Sequence, residues 1–346
     1  MLQLENISKS YDNFALRDIN LEIPKGEYFV LLGRSGAGKS QLLELIAGLR
    51  SPDSGRIFLN GKEITREKIQ HRKTGMVFQD FAIFPHLTVY ENIAYALKIR
   101  RLPRKEIRTA VGTMAENVNI AHLLDRSTDD LSGGERQRVA VARTLVTSPD
   151  IILLDEPMAS IDASLRDEMR RLLRKINEMG ITMLHVTHDY GEAIRLANRV
   201  GIIHNGRILQ AGIPDEVFSK PVNKFVARFA GIRNFFSVKI GREEGKTVAV
   251  SGKHKYSLPD GDYPENGLLI IKSDSINLSL QEQKDSDNCI KGIVRELNRA
   301  ESGYEVFVDA GDLFHVLLSN KDFEGLSLNP EQTVYLSFSA DKLKLI

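Results

Sequence analysis

Tyr28-Phe29-Val30-Leu31-Leu32-Gly33-Arg34-Ser35-Gly36-Ala37-Gly38-Lys39-Ser40 reads as a buried strand, a glycine-rich turn and the start of a helix. Leu42, Leu45, Ile46 and Leu49 follow at helical spacing, and Gly48 lies near the helix end. Glycines, a lysine and a hydroxyl residue at this spacing turn backbone N–H groups inward around phosphates. Lys39 is placed to reach the β and γ phosphates, Ser40 to ligate Mg²⁺, and the helix adds its positive dipole end. The bland alternative is a glycine-rich turn without a ligand, but the strand before it and the helix after it favour a nucleotide.

The same alternation of strand and helix continues outward. Ile151-Ile152-Leu153-Leu154 is an apolar strand ending in Asp155-Glu156, where one carboxylate can hold Mg²⁺ and the next can polarise water. Acidic residues at a strand tip are otherwise ordinary. Leu165, Met169, Leu172, Leu173 and Ile176 mark a covering helix, and Ile181 to Val186 a further core strand. Val200 to Ile203, Asn205-Gly206 and Arg207 to Leu209 predict a hairpin with a type I′ turn, so parallel and antiparallel pairing are mixed. After Gly231 the texture changes to short β-rich runs, Thr247 to Val250, Leu268 to Ile271, Tyr304 to Val308 and Val334 to Phe338, separated by Gly, Pro, Asp and Asn. The expected architecture is an α/β domain over residues 1–230 and an all-β, OB-like barrel over residues 231–346, with a polar loop at Gln281 to Asn288.

The bulk numbers agree with this division. A chain of 346 residues is too long for one ordinary core. With 42% hydrophobic and 27% charged residues and a formal net charge of +1, the composition is average for globular proteins and gives no sign of nucleic-acid binding. The single cysteine, Cys289, excludes an internal disulfide and a cysteine-based metal site, and suits a reducing cytosol. Met1 to Asn6 lacks the basic flank and apolar block of a signal peptide, and no apolar run approaches the roughly 20 residues of a membrane span. A soluble subunit able to dock on a membrane protein is expected.

Leu131-Ser132-Gly133-Gly134-Glu135-Arg136-Gln137 precedes a helical run through Val139, Ala142, Arg143 and Val146. Ser132 and Glu135 have capping-box spacing, so the segment can simply start a helix. Its two glycines exceed that need and would let a second phosphate approach backbone N–H groups.

Here the sequence resembles the ABC-transporter ATPases, whose signature motif this segment matches, and the likeness covers residues 1 to about 230. Gln79 is similar to the family's Q-loop, Asp155 and Glu156 to its Walker B pair, Ala159-Ser160-Ile161-Asp162 to its D-loop, His188 to its switch histidine and Tyr11 to the aromatic that stacks on adenine. Taken singly, His188 reads as a strand-end histidine, Tyr11 as a surface aromatic and Gln79 as a solvated amide; their joint order and spacing carry the resemblance. Two departures, Glu135-Arg136-Gln137 after the glycines and Ile161 for leucine, touch no phosphate-contacting position.

The resemblance implies an ATPase with a helical subdomain over roughly 80–135. Two copies would face head to tail, with each ATP between Gly33–Ser40 of one and Ser132, Gly133, Gly134 and Glu135 of the other, and with Asp162 at the seam. Glu156 is then the base, His188 holds the γ phosphate and the water, and Ser40, Gln79 and Asp155 organise Mg²⁺. It also implies a homodimer beneath two permease subunits, peripheral on the cytoplasmic face of the membrane and served by an extracytoplasmic solute-binding protein. Phe81 to Ile93 resembles the importers' groove for a permease helix, with buried core as the plain reading. The tail resembles the regulatory domains of importers for molybdate or tungstate, sulfate, polyamines, iron and sugars; Gly26-Glu27-Tyr28-Phe29-Val30, the Lys272 to Leu280 segment and Asn288-Cys289-Ile290-Lys291-Gly292-Ile293 make the chain most similar to the molybdate/tungstate group. One departure stands out: where oxyanion-binding tails carry Ser-x-Arg-Asn, Asp285-Ser286-Asp287 precedes Asn288, and a negative charge there opposes an anion, with Lys291 as the one nearby compensation. Two other classes remain: a soluble ABC-type ATPase acting on DNA or ribosomes, for which neither tandem ATPase domains nor a coiled-coil insertion is visible, and an oxyanion sensor dominated by the tail.

Overall fold

The computed structural model describes all of residues 1–346 except Ser160, Glu244, Lys253, Glu301 and Ser302. Two compact units emerge, Met1–Val217 and Phe218–Ile346. The division falls earlier than the expected boundary at residue 230. The reason is apolar packing: Ala227 and Ile232 share a small core with Ile270, and Lys344 Nζ donates to the Ser219 carbonyl at 2.8 Å.

The first unit is organised by a six-stranded sheet among the described residues, in the order Arg207–Gly212, Arg199–His204, Tyr28–Leu32, Thr182–Thr187, Ile151–Asp155, Thr74–Val77. All neighbours pair in parallel except the first two, which form the hairpin expected at Asn205-Gly206. Tyr28–Leu32, Ile151–Asp155 and Thr182–Thr187 are buried at every residue, which is why they read as unbroken apolar runs rather than as an alternation. A second, antiparallel sheet of Phe14–Ile23, Leu2–Tyr11, Ser54–Leu59 and Lys62–Glu63 lies beside it. The helix Lys39–Ala47 fills the space between them: Leu42, Leu45 and Ile46 share one core with Leu2, Leu4 and Ile57 on one side and Leu31, Ile151 and Leu184 on the other.

The helical part comprises Val89–Ile99, Arg104–Asn117 and Gly133–Leu145. The first and third begin with capping boxes, Thr88 with Glu91 and Ser132 with Glu135. Arg72, 2% exposed, donates to the carbonyls of Leu45, Ile46, Thr65 and Glu67, so a buried cation closes the carboxyl end of Lys39–Ala47.

In the second unit the described residues form a β-rich domain of two five-stranded antiparallel sheets with a large apolar core, in place of the single OB-like barrel expected. Rings meet within it: Phe314 lies 4.6 Å from Phe236, which stacks on Tyr256 at 5.6 Å.

Asn205 and Gly206 both have positive φ, 46° and 73°, as a type I′ turn requires. A Cβ on Gly206 would lie 1.9 Å from the Ala15 carbonyl oxygen, and the Gly206 carbonyl accepts from Arg17 N at 2.8 Å. Gly206→Ala therefore combines backbone strain with a backbone clash and is expected to destabilise the first unit by about 2 kcal/mol or more, read as a lowered urea midpoint.

Candidate functional site

The site forms at the carboxyl ends of the parallel strands, where an open α/β sheet leaves a crevice. Tyr28–Leu32 delivers Gly33, and Gly38 caps the following helix in the left-handed region at φ 103°. A Cβ there would lie 2.6 Å from Phe14 and 2.7 Å from Leu16, so the loop can only pass this point as glycine. Among the described residues no side chain caps this helix, and its first N–H groups remain for a ligand. Arg34, Ser35 and Gly36 form the exposed rim; Gly33, Ala37, Gly38 and Lys39 are buried. Lys39 Nζ donates to the carbonyls of Gly33 at 2.9 Å and Arg34 at 3.3 Å, and stands 3.3 Å from Glu156 Oε1.

Ser40 Oγ donates to Asp155 Oδ1 at 2.9 Å. Burial pushes the Asp155 carboxyl up and the Glu156 charge adds to this, while the Ser40 hydroxyl and the Lys39 charge oppose it. Glu156 leaves the strand with φ 45°, its N–H held by the Val186 carbonyl at 3.0 Å. Its Oε2 lies 2.8 Å from His188 Nδ1, and the histidine ring is 61% exposed. A chain of contacts thus runs from loop lysine to acid to histidine across three adjacent strands.

Gln79 lies exposed in the turn after Thr74–Val77, whose register pairs Val77 with Leu154. Two residues beyond each partner stand Gln79 and Glu156, on the same edge of the sheet. Phe81 and Ala82 take positive φ values of 65° and 45°, and their carbonyls accept from Arg143 at 3.1 and 2.5 Å. Arg143 belongs to the helix Gly133–Leu145, so one side chain ties that helix to the turn after Gln79. Nothing in the sequence beyond helical periodicity marked this arginine.

Tyr11 ends its strand opposite Phe14, the ring that packs on Gly38, at 6.2 Å; the Arg50 guanidinium lies 5.7 Å above the tyrosine. Ser132 and Glu135 satisfy one another as a capping box, with Glu135 held below the ordinary carboxyl range chiefly by the Ser132 backbone N–H. Gly134 faces Leu165, where a Cβ would approach to 3.3 Å. Ser132, Gly134 and Glu135 line a hollow of about 230 Å³ with Arg138, Leu165 and Glu168. Asp162 is exposed at the start of Ala163–Glu178, and its backbone carbonyl accepts from Leu165 and Arg166. Ser160 of the same segment lies outside the described residues. Of Phe81 to Ile93, Val89, Asn92 and Ile93 are core; Asn92 binds the backbone of Phe84, Leu87 and Thr88 and shapes the stretch before the helix. In the tail, Asp287 Oδ2 accepts from Ala340 N at 2.9 Å and Ser339 Oγ at 3.3 Å, so a fixed carboxylate already takes up these donors.

A glycine-rich loop, its lysine and serine, paired acids at a strand tip and an adjacent histidine define a P-loop ATPase. The chain matches the family model for ABC transporter over residues 16–159, inside the first unit. It is 38% identical to the molybdate/tungstate import ATP-binding protein of Pyrococcus horikoshii across 99% of both chains, and 46% identical to the protein of that description from Thermococcus kodakarensis across 73% of this chain and 76% of that one. Among solved structures, a dimeric ATP-binding cassette in a post-hydrolysis state with ADP and Pi bound superposes with a TM-score of 0.56 at 30% identity, covering 62% of this chain and 99% of that one. This chain belongs to the ABC transporter ATP-binding family, and it is an ATPase that binds ATP.

The raised Asp155 carboxyl gives a stability prediction. An acid whose folded pKa is raised stabilises the protein below its unfolded pKa and loses that contribution as pH rises through the folded value. At pH 7.5 and without nucleotide, Asp155→Asn is expected to raise the melting temperature by about 1–3 °C, and the gain should shrink toward pH 4 in calorimetry.

Proposed function

We propose that the chain hydrolyses ATP in the service of an importer, with Lys39, Ser40, Asp155, Glu156 and His188 as the working set. The observation that carries this is their continuous contact at one sheet edge, Ser40 to Asp155 and Lys39 to Glu156 to His188. Hydroxyl and carboxylate oxygens side by side are the hard donors Mg²⁺ takes, and the burial that pushes Asp155 up leaves its anion short of positive charge. Few protein ligands are needed, since this ion keeps waters and phosphate oxygens in its shell. Ser40 and Asp155 would hold it, with Gln79 at the same edge, and when bound it neutralises charge on the phosphates.

Glu156 accepts the proton of the attacking water, and His188, on the exposed side of that carboxylate, holds the water and the γ phosphate. Lys39 supplies fixed positive charge, so catalysis is mainly positioning and charge stabilisation. Tyr11 lies beside the adenine. Ser132, Gly133, Gly134 and Glu135 act on the ATP of a second copy, with Asp162 between them; the dimeric cassette with ADP and Pi supports this arrangement. Two permease subunits are the membrane partners, seated on the segment Phe81 to Ile93 and the exposed side chains of Tyr95 and Ile99. No helix among the described residues is long and apolar enough to cross a membrane. The chain therefore lies peripherally at the cytoplasmic face through that contact, with a solute-binding protein on the far side.

Molybdate or tungstate is the proposed cargo, because likeness to the Pyrococcus horikoshii protein runs through the tail as well as the ATPase unit. Relatives named for spermidine/putrescine, sulfate/thiosulfate and Fe(3+) import keep polyamine, sulfate and iron as the alternatives. Glu156→Gln is expected to retain ATP binding, lose about 10²-fold or more in turnover and accumulate a dimer on gel filtration; full turnover would remove Glu156 from its role. Lys39→Ala should weaken ATP binding. In vesicles carrying the chain with its permease and binding protein, ATP hydrolysis should rise with molybdate or tungstate, and a response to sulfate alone would reassign the cargo.

A further inference from the structure

Beneath the catalytic edge lies a second set of ionisable groups that the hydrolytic chemistry does not use. His185, on strand Thr182–Thr187, is fully buried, and its two ring nitrogens face different elements. Nδ1 lies 3.1 Å from the Tyr28 hydroxyl on the neighbouring strand, and Nε2 lies 3.3 Å from Glu192 Oε2 on helix Tyr190–Leu196. Glu192 is 4% exposed. The His185–Glu192 contact falls outside hydrogen-bond alignment and is a close polar contact.

A polar pair buried this deeply is weak evidence for stability, because desolvation offsets the attraction between its members. Its place in the chain suggests another use. Between His185 and Glu192 the backbone leaves the sheet, passes His188 and turns into the helix. The Asp189 carboxylate caps that helix by accepting from Glu192 N at 3.1 Å, and Thr187 Oγ1 accepts from Asp189 N at 3.1 Å. The 3.3 Å pair closes the same short segment from inside, so the loop bearing His188 is pinned at its two ends.

We infer that Glu192 is a positioning residue for ATP hydrolysis, which through its contact with His185 holds the His188 loop so that the imidazole meets Glu156. Burial disfavours the Glu192 anion, but its polar contacts with His185 and Thr187 and the nearby Arg170 charge outweigh it and hold the carboxyl below its ordinary range. The carboxylate is therefore ionised at neutral pH, as the pinning contact requires. Tyr28 faces the pair from its own strand and Arg170 from helix Ala163–Glu178, and Tyr28, pushed well up by burial, stays a neutral hydroxyl.

The inference rests on the proposed role of His188, and a double-mutant cycle in the full chain separates the two. Steady-state hydrolysis of Mg-ATP is measured for wild type, Glu192→Gln, His188→Ala and the pair, each corrected for its folded fraction by circular dichroism. Glu192→Gln is expected to lower kcat about tenfold with KM for ATP changed less than about threefold, and to cost under about twofold when added to His188→Ala. Equal losses in both backgrounds, or no loss in wild type, would overturn the positioning role. Should Glu192→Gln fold poorly, His185→Gln removes the same contact from the other side and is held to the same criteria. Unchanged kcat in His188→Ala alone would instead strike the proposed role of His188, an outcome visible before the cycle is closed.

Discussion

The structure depends on placing charged groups at the edge of a sheet whose interior has no room for them. Three strands are buried along their whole length, so the backbone there is satisfied only by its neighbours and the side chains are almost all apolar. Polar chemistry is pushed to the carboxyl ends, where Gly33, Asp155, Glu156 and His188 emerge. Parallel register then decides which of them meet: Leu32 pairs with Thr187, and Asp155 with Val186, so loop, acids and histidine leave the sheet at one level.

Holding that edge costs local strain. Gly38, Glu156, Phe81 and Ala82 all take positive φ, and each is fixed from outside itself: Gly38 against Phe14 and Leu16, Glu156 by the Val186 carbonyl, Phe81 and Ala82 by Arg143. Asp155 is the electrostatic counterpart. Its carboxylate is disfavoured by burial, which the Ser40 hydroxyl and the Lys39 charge only partly offset.

Much of this was legible in the sequence because the elements involved obey local rules. An apolar run bounded by Gly33, helical spacing from Leu42 to Ile46, an Asn205-Gly206 turn and a Ser132/Glu135 capping box each appear in the structure where their spacing places them, whereas Leu49 falls beyond the Gly48 cap and is exposed. What stayed illegible depends on contacts between distant segments. Arg72 reads as one more surface cation until its guanidinium is found on four carbonyls, and Arg143 as one more helical residue until it reaches Phe81 and Ala82. The domain boundary misled for the same reason: the helix Lys224–Phe229 looks like the end of the α/β pattern, but its buried face packs on Ile270 of the β domain.

His185 and Glu192 belong with these hidden residues. A histidine inside an apolar strand and a glutamate in a short helix carry no sequence signal, since neither follows a spacing rule that points to the other. Their meeting comes from the turn at Asp189, which folds the helix back over the strand the chain has just left. That geometry gives the exposed His188 a foundation one layer down, since a pair sealed from water closes the short segment on which it stands. A site that must admit ATP cannot pack its own histidine on every side, so its precision has to come from groups the nucleotide never touches.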